Sequence, residues 1–320
     1  SFQSIMPLDI LNNIIVARIT YIVKIRRGRI GAYEIKGKIS GQFRYSLDYI
    51  AILCIQNAIE EHYIVQKGEK HEGKYKNKYL SYLLHSTLRK EALEETEKIL
   101  GNRNRLFPIQ AKEIGLKDAP TTSRYPQEIY YRIFAARYLP ENLERVLYLD
   151  PDIIVNGSVR ELYELPLENY YFAAASHNKK FLRMVNGIRL NLDPEDIYVN
   201  SGVMLMNLER LRKEQNFQEV FDFMERKRNI LVLPDQDIIS GLYGDKILGL
   251  DTFLYNMTEN LYQFHGNLEK EIDLDWVRQH SVIIHYCGRN KPWKENYIGQ
   301  LDVFYKEAVK QMEKKQRESL

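Results

Sequence analysis

From about residue 79 onward the chain alternates short apolar runs with stretches of helical periodicity, and this alternation restricts the fold more than any other feature. The run "YLSYLLHS" (79–86) precedes "RKEALEETEKILGN" (89–102), whose Gly101-Asn102 ending suits a helix C-terminus. After "RLFPIQ" comes a predicted helix over 126–139, "PQEIYYRIFAARYL", with Pro126 in its first turn. Further apolar runs occupy 145–149, 170–176 and 202–208, and helical patterns follow at about 209–229 and 235–243. Strands alternating with helices predict an α/β fold, its sheet mixed but mostly parallel and covered by helices on both faces. No internal repeat is visible.

The 320 residues are enough for one large or two modest domains. Residues 1–45 read as two or three strands or an appendage, 46–300 as the main domain, and 301–320 as a C-terminal helix. Hydrophobic residues make up 44% and charged residues 28%, the balance of an ordinary globular protein. A net charge of only +3 gives no general case for nucleic acid, and no recognisable module accompanies the basic stretches at 24–29 and 67–78. Cys54 and Cys287 are the only cysteines and make no disulfide framework, which fits a reducing, cytoplasmic setting. The apolar patch "IIVARITYIV" (14–23) is interrupted by Arg18, is too short for a membrane span, and precedes no small-residue cleavage site. Asn156 and Asn256 begin sequons, but no secretory signal supports them. In "DVFYKEAVKQMEKKQRESL" (302–320) Phe304, Tyr305, Ala308, Val309 and Met312 recur at helical spacing among lysines and Arg317. That pattern suits either packing on the chain's own domain or peripheral contact with an anionic membrane, here its inner face.

Chemistry concentrates at a few points. After the apolar run Val146-Leu147-Tyr148-Leu149 stand Asp150 and Asp152, with Pro151 stiffening the turn between them. In open α/β sheets ligands gather outside the carboxyl ends of strands. Two carboxylates there suit Mg²⁺ or Mn²⁺, particularly a cation shared with phosphates, although Asp-Pro-Asp is also good turn chemistry. The run "SVIIHY" delivers His285, followed by Gly288 and Lys291. An imidazole favours Mn²⁺ over Mg²⁺, a glycine lets backbone approach a phosphate, and a lysine neutralises it; a structural histidine is the alternative. Asp235 and Asp237 fall in a first helical turn, where the dipole alone accounts for a carboxylate, but not for Gln236 between them. Asn200 and Ser201 precede a buried strand, as turn residues or as ligands. Arg132 lies amid apolar and aromatic residues, where a buried guanidinium needs an anion.

Taken together, "APTTSRYPQEIYYRIFAARYLPENLERVLYLDPDIIVNG", "YVNSGVMLMNL", "LPDQDI" and "HYCGRNKPW" resemble, in order, the segments of glycosyltransferase family eight, the retaining sugar-nucleotide transferases that include glycogenin and bacterial lipooligosaccharide galactosyltransferases. The resemblance covers about 79–300. It implies a GT-A fold and a UDP-sugar donor whose phosphates are bridged by Mn²⁺, with Mg²⁺ as the alternative cation. It implies metal ligation by Asp150, Asp152 and His285. Gly288 and Lys291 would touch the diphosphate, Arg132 the phosphates or sugar, and Asn200, Ser201 and Asp235 the donor sugar. Gln236 would face the anomeric carbon opposite the leaving group. Family members hold uracil and ribose with an Asp-x-Asn-Tyr-like stretch near the N-terminus; the nearest counterpart here is "SLDYIAILCIQNAI" (46–59), with Asp48 and Tyr49 as candidates. The activity implied is transfer of glucose or galactose to a glycan or lipid-linked acceptor. The rival expectation is an inactive sugar-nucleotide or glycan-binding protein of the same fold.

Overall fold

The computed structural model describes residues 52–58, 78–86, 88, 90–100, 104–111, 114–122, 125–176, 180–268 and 272–318. Asp48, Tyr49 and the 1–45 segment lie outside the described residues. A seven-stranded sheet is built from β1 (Ile52–Ala58), β2 (Lys78–His85), β3 (Asn104–Gln110), β4 (Arg145–Leu149), β6 (Phe172–Ser176), β7 (Val199–Asn207) and β8 (Ile247–Leu250). Their order is β3-β2-β1-β4-β7-β6-β8. β5 (Ile153–Val155) and β9 (Ile283–His285) form a separate antiparallel pair.

The central strands read as continuous apolar runs because both faces are covered. In β4, strand alternation sends Val146 and Tyr148 into one cluster, with Phe172, Met204, Met206, Ile238 and Ile239. It sends Leu147 and Leu149 to the opposite face, with Ile153, Ala173, Val203 and Leu205. Arg145, at the open end, is the only β4 residue that is not buried.

The mixed sheet and its flanking helices are as expected, but parallel pairing is the minority. Only β2–β3 and β6–β8 run parallel, whereas β1–β2, β1–β4, β4–β7 and β6–β7 are antiparallel. A doubly covered strand is apolar throughout in either direction, so the local pattern carries no sign of direction. Two long predicted helices are also broken. Residues 126–139 fold as a 3₁₀ stretch, Gln127–Arg132, and a short α-helix, Ala135–Tyr138. The β-branched and aromatic residues Ile129, Tyr130, Tyr131, Ile133 and Phe134 are weak helix formers, and all are buried, so packing rather than propensity sets the backbone. Residues 209–229 divide into Leu208–Glu214 and Phe217–Lys227. Asn216 caps the second by accepting from the Gln218 amide at 3.0 Å.

The C-terminal helix, Asp302–Glu318, turns Phe304 and Ala308 inward onto Ile154, Val277, Ile284 and Tyr286. Its apolar stripe therefore packs on the domain itself, while Lys306, Lys310, Lys314 and Arg317 are solvent-facing. Among the described residues no helix is long and apolar enough to cross a membrane.

Candidate active site

The Asp150-Pro151-Asp152 turn joins the two sheets. The Asp150 amide donates to the Gly202 carbonyl on β7 at 2.8 Å, and the Tyr286 amide donates to the Asp152 carbonyl at 2.9 Å. β5 begins immediately after Asp152 and pairs Ile153 with His285, so the β5–β9 ladder sets the imidazole opposite the turn. One ligand atom from each of Asp150, Asp152 and His285 lies within 4.8 Å of the others.

Each aspartate has one oxygen tethered and one turned toward His285. Asp150 Oδ1 accepts from the Tyr148 hydroxyl and lies 3.1 Å from an Arg132 nitrogen, while Oδ2 is 3.9 Å from His285 Nε2. Asp152 Oδ2 accepts from the Lys291 ammonium, while Oδ1 is 3.3 Å from His285 Nε2. Among the described residues that Oδ1 is buried without a hydrogen-bond partner. His285 Nδ1 lies 2.8 Å from the Asn256 carboxamide oxygen, a pure acceptor. A proton on Nδ1 satisfies that oxygen and leaves Nε2 aimed at the two carboxylates, as an N–H donor in the protonated ring or as a lone pair for a shared cation in the neutral one. Two carboxylates and a neutral imidazole oriented through its far nitrogen fit a divalent cation such as Mn²⁺. Burial works to raise the Asp152 pKa, but without a cation the charge and hydrogen bond of a protonated His285, and then Lys291, hold the carboxyl well below the usual range. Cys287 adds no thiolate ligand: burial, and then Asp152, push its thiol up to about 11.

Gly202 explains how β7 passes so close to this group. A Cβ there would stand 2.2 Å from His285 Cε1 and 3.0 Å from Asp150 Oδ2, so any side chain displaces two candidate ligands.

A polar floor lies beside the turn. Arg132 is buried; one guanidinium nitrogen lies 3.0 Å from Asp235 Oδ2 and 3.1 Å from both the Ser201 carbonyl and hydroxyl oxygens. The guanidinium also covers the Tyr148 ring at 4.6 Å. Burial opposes the charge, but Asp150 foremost, with Asp235, raises the Arg132 pKa above its ordinary value. The anions that the buried guanidinium requires are thus two carboxylates of the chain, and Arg132 links the Asp150 end of the site to Asp235. Ser201 donates its hydroxyl to Asp235 Oδ2 at 2.7 Å and its amide to Gln236 Oε1 at 3.2 Å. Asn200 accepts from the Gly202 amide at 3.0 Å. Arg132, Asn200, Ser201, Asp235 and Gln236 are each under a tenth exposed yet gathered in one place.

The helix Pro234–Tyr243 supplies Asp235 and Gln236 from its first turn. Its dipole does not need Asp235, because Asp237 serves that end. The fully buried Asp237 takes a two-point ion pair from Arg189 at 2.6 and 2.8 Å, the Tyr198 hydroxyl at 2.8 Å and the Val232 amide at 2.7 Å. Asp237 is structural, and Asp235 is left to the site.

Gly288 has φ +84°, in the left-handed region, with no described residue within 4 Å of where a Cβ would stand. Lys291 follows on the same loop and donates to Asp152 and, at 2.6 Å, to the Tyr286 carbonyl. Asp150, Asp152, His285, Arg132 and Lys291 thus meet around one turn, and Arg132 and Ser201 join Asp235 and Gln236 to it. Sequence reasoning missed Tyr148, Gly202 and Asn256. Asn256 was legible only as a sequon, yet it is 2% exposed and orients His285. Asn156 likewise spends its carboxamide on the Arg278 and Ser281 carbonyls, at 3.1 and 2.8 Å.

Comparison with known proteins gives a consistent result. Residues 53–297 match the model of glycosyl transferase family 8. A lipopolysaccharide 1,2-glucosyltransferase of Escherichia coli is 30% identical over 273 residues, 77% of this chain and 77% of that protein. A putative glycosyltransferase of Haemophilus influenzae is 30% identical over 59% of this chain, and the match spans only 56% of that relative. Among solved structures, the galactosyltransferase LgtC in complex with donor and acceptor sugar analogues superposes with a TM-score of 0.58 at 20% identity, covering 72% of this chain and 84% of that one. The glycosyltransferase GlyE of Streptococcus pneumoniae gives 0.53 at 22% identity, over 71% and 52%. These structural likenesses show the fold, which is GT-A.

Proposed function

Because the chain belongs to glycosyl transferase family 8 and has the GT-A fold, we propose that it is a retaining hexosyltransferase that moves glucose or galactose from a UDP-sugar to a glycan or glycolipid acceptor, with Mn²⁺ held by Asp150, Asp152 and His285. The observation that carries this reading is Asp152 Oδ1, buried without a hydrogen-bond partner among the described residues, 3.3 Å from Nε2 of His285. The catalytic domain is taken as 46–300, with the helix Asp302–Glu318 packed on it.

Breaking the sugar–phosphate bond leaves positive charge at the anomeric carbon and negative charge on the departing diphosphate. A bound divalent cation supplies Lewis-acid stabilisation of that leaving group. The chain's own residues supply the rest. The Lys291 ammonium and the Gly288 backbone face the phosphates, and Arg132 bridges the carboxylates of Asp150 and Asp235. Gln236, held by the Ser201 amide, presents a carboxamide dipole that stabilises a cationic carbon without attacking it. An amide is a feeble nucleophile, so retention here follows from same-face attack by the acceptor hydroxyl, whose proton passes to the departing phosphate. Asp235, Asn200 and Ser201 orient the sugar hydroxyls. Incubating the protein with a panel of UDP-sugars is the test. One UDP-hexose should be hydrolysed with Mn²⁺, lose that activity in EDTA, and regain it with Mn²⁺ better than with Ca²⁺. Full activity in EDTA would remove the ligand assignment.

A lipid-linked acceptor would sit at a membrane, and the reading places the enzyme on the cytoplasmic face. With Phe304 and Ala308 packed inward, contact through the C-terminal helix is electrostatic, through Lys306, Lys310 and Lys314. Replacing these three with Glu should reduce sedimentation with anionic liposomes severalfold without changing donor hydrolysis. Undiminished sedimentation would leave the helix a packing role alone.

A further inference from the structure

Lys291 has two uses that compete. Its ammonium donates to Asp152 Oδ2 and to the Tyr286 carbonyl, so it neutralises a carboxylate assigned here to the divalent cation. A dication and an ammonium on one carboxylate repel each other, and each weakens the hold of the other. The loop backbone around the lysine is pinned. Asn290 and Ile298 exchange hydrogen bonds of 2.6 and 3.0 Å, and the Lys294 amide bonds to the Lys291 carbonyl at 3.0 Å. Buried Glu259 fastens the far end, accepting from the Gln300 and Leu301 amides, each at 3.0 Å, and from the Tyr297 hydroxyl. At Gly299 a Cβ would stand 2.1 Å from the Glu259 carboxyl carbon, so the loop closes tightly onto that latch. With both flanks held, the mobile part is the aliphatic stem of Lys291, about one-sixth exposed. The open space over Gly288, three residues earlier, is where an anion would approach it.

We propose that Lys291 is a transferable countercharge, bound to Asp152 in the protein alone and handed to the donor's diphosphate when the divalent cation takes Asp152, so that cation and diphosphate bind cooperatively through this one side chain. The proposal rests on the metal assignment made above and adds a thermodynamic coupling to it. By linkage, whatever the cation gains from the diphosphate through Lys291, the diphosphate gains from the cation.

The test compares wild type with Lys291→Met, using Mn²⁺ alone, UDP with saturating Mn²⁺, and calorimetry or the EPR signal of free Mn²⁺. Without UDP the variant should bind Mn²⁺ about tenfold more tightly, since the competitor for Asp152 is gone. With Mn²⁺ present it should bind UDP about tenfold more weakly, since the phosphate contact is gone. Opposite signs are the signature of a transferred charge. A second readout uses the native lysine. Lys291 Nζ lies 5.5 Å above the Trp293 ring, and Trp276 is the only other tryptophan, so the emission of Trp276→Phe reports on Trp293. UDP with Mn²⁺ should shift that emission, and UDP alone should not. Unchanged or weaker Mn²⁺ binding by Lys291→Met would overturn the proposal, because the lysine would then only brace Asp152. An emission blind to UDP with Mn²⁺ would overturn it too. A wild type that binds no Mn²⁺ even with UDP would take down the metal assignment and this proposal together.

Discussion

Asp152→Asn should lower UDP-hexose turnover by roughly a thousandfold, or about 4 kcal/mol of transition-state stabilisation, and leave the melting temperature within a few degrees of wild type. The change replaces a carboxylate whose Oδ1 has no protein partner, so the folded chain loses no hydrogen bond at that atom. It also breaks the ion pair with Lys291, whose two side chains are each only about one-sixth exposed, so some stability is lost, limited because the lysine keeps the Tyr286 carbonyl as a partner. A cation, by contrast, loses one of three ligands. Loss of Mn²⁺ binding measured directly, alongside the loss of turnover, assigns the defect to ligation. A collapse of melting temperature would instead make Asp152 a structural turn residue, and the sheet-joining turn would then owe its two aspartates to folding rather than to chemistry.

Gln236→Ala should keep the affinity for UDP-hexose and lower turnover by about ten- to a thousandfold, the range for removing one preorganised electrostatic contact to a developing charge. Gln236 is held by the Ser201 amide, and alanine leaves that buried donor without its partner, so some loss of stability is expected as well. The kinetic split separates the two effects, because a merely loosened site weakens donor binding and turnover together. Gln236→Glu goes further. A carboxylate attacks where an amide does not, so a covalent sugar–protein adduct should become trappable and visible as a hexose mass increment on the intact chain. Failure to trap any adduct, with Gln236→Ala fully active, would remove Gln236 from the face of the anomeric carbon.

Much of this was readable beforehand, for reasons that differ between residues. Asp150, Asp152 and His285 stand at strand ends, where periodicity breaks from apolar to polar over one residue, and β4 came out with the bounds read from its pattern. Strand direction was not readable, since Leu147 and Leu205 look alike whether β4 and β7 run parallel or antiparallel. The breaks near Ile133 and Gln215 arise from packing across the core. One such contact joins the Gln215 carboxamide to the Ile133 carbonyl, 82 residues apart. By residue type Asp235 and Asp237 were equivalent in sequence; the family resemblance singled out Asp235, and the Arg189 and Tyr198 contacts to Asp237 give the physical reason that they differ. Gly202 and Asn256 act through close approach to His285, which local pattern does not record. Arg132 was read correctly as a buried cation in need of an anion, but its partners proved to be Asp150 and Asp235 of the chain itself.

The central claim, a retaining transfer from a UDP-hexose in which Gln236 is no nucleophile, is tested most directly by the configuration of the sugar first released. Proton NMR of wild-type protein hydrolysing its preferred α-linked UDP-hexose with Mn²⁺, recorded before mutarotation scrambles the product, should show the α-anomer leading. The β-anomer appearing first would contradict the account, because inversion requires a base-activated attack from the face given to Gln236, and Asp235 would then be that base.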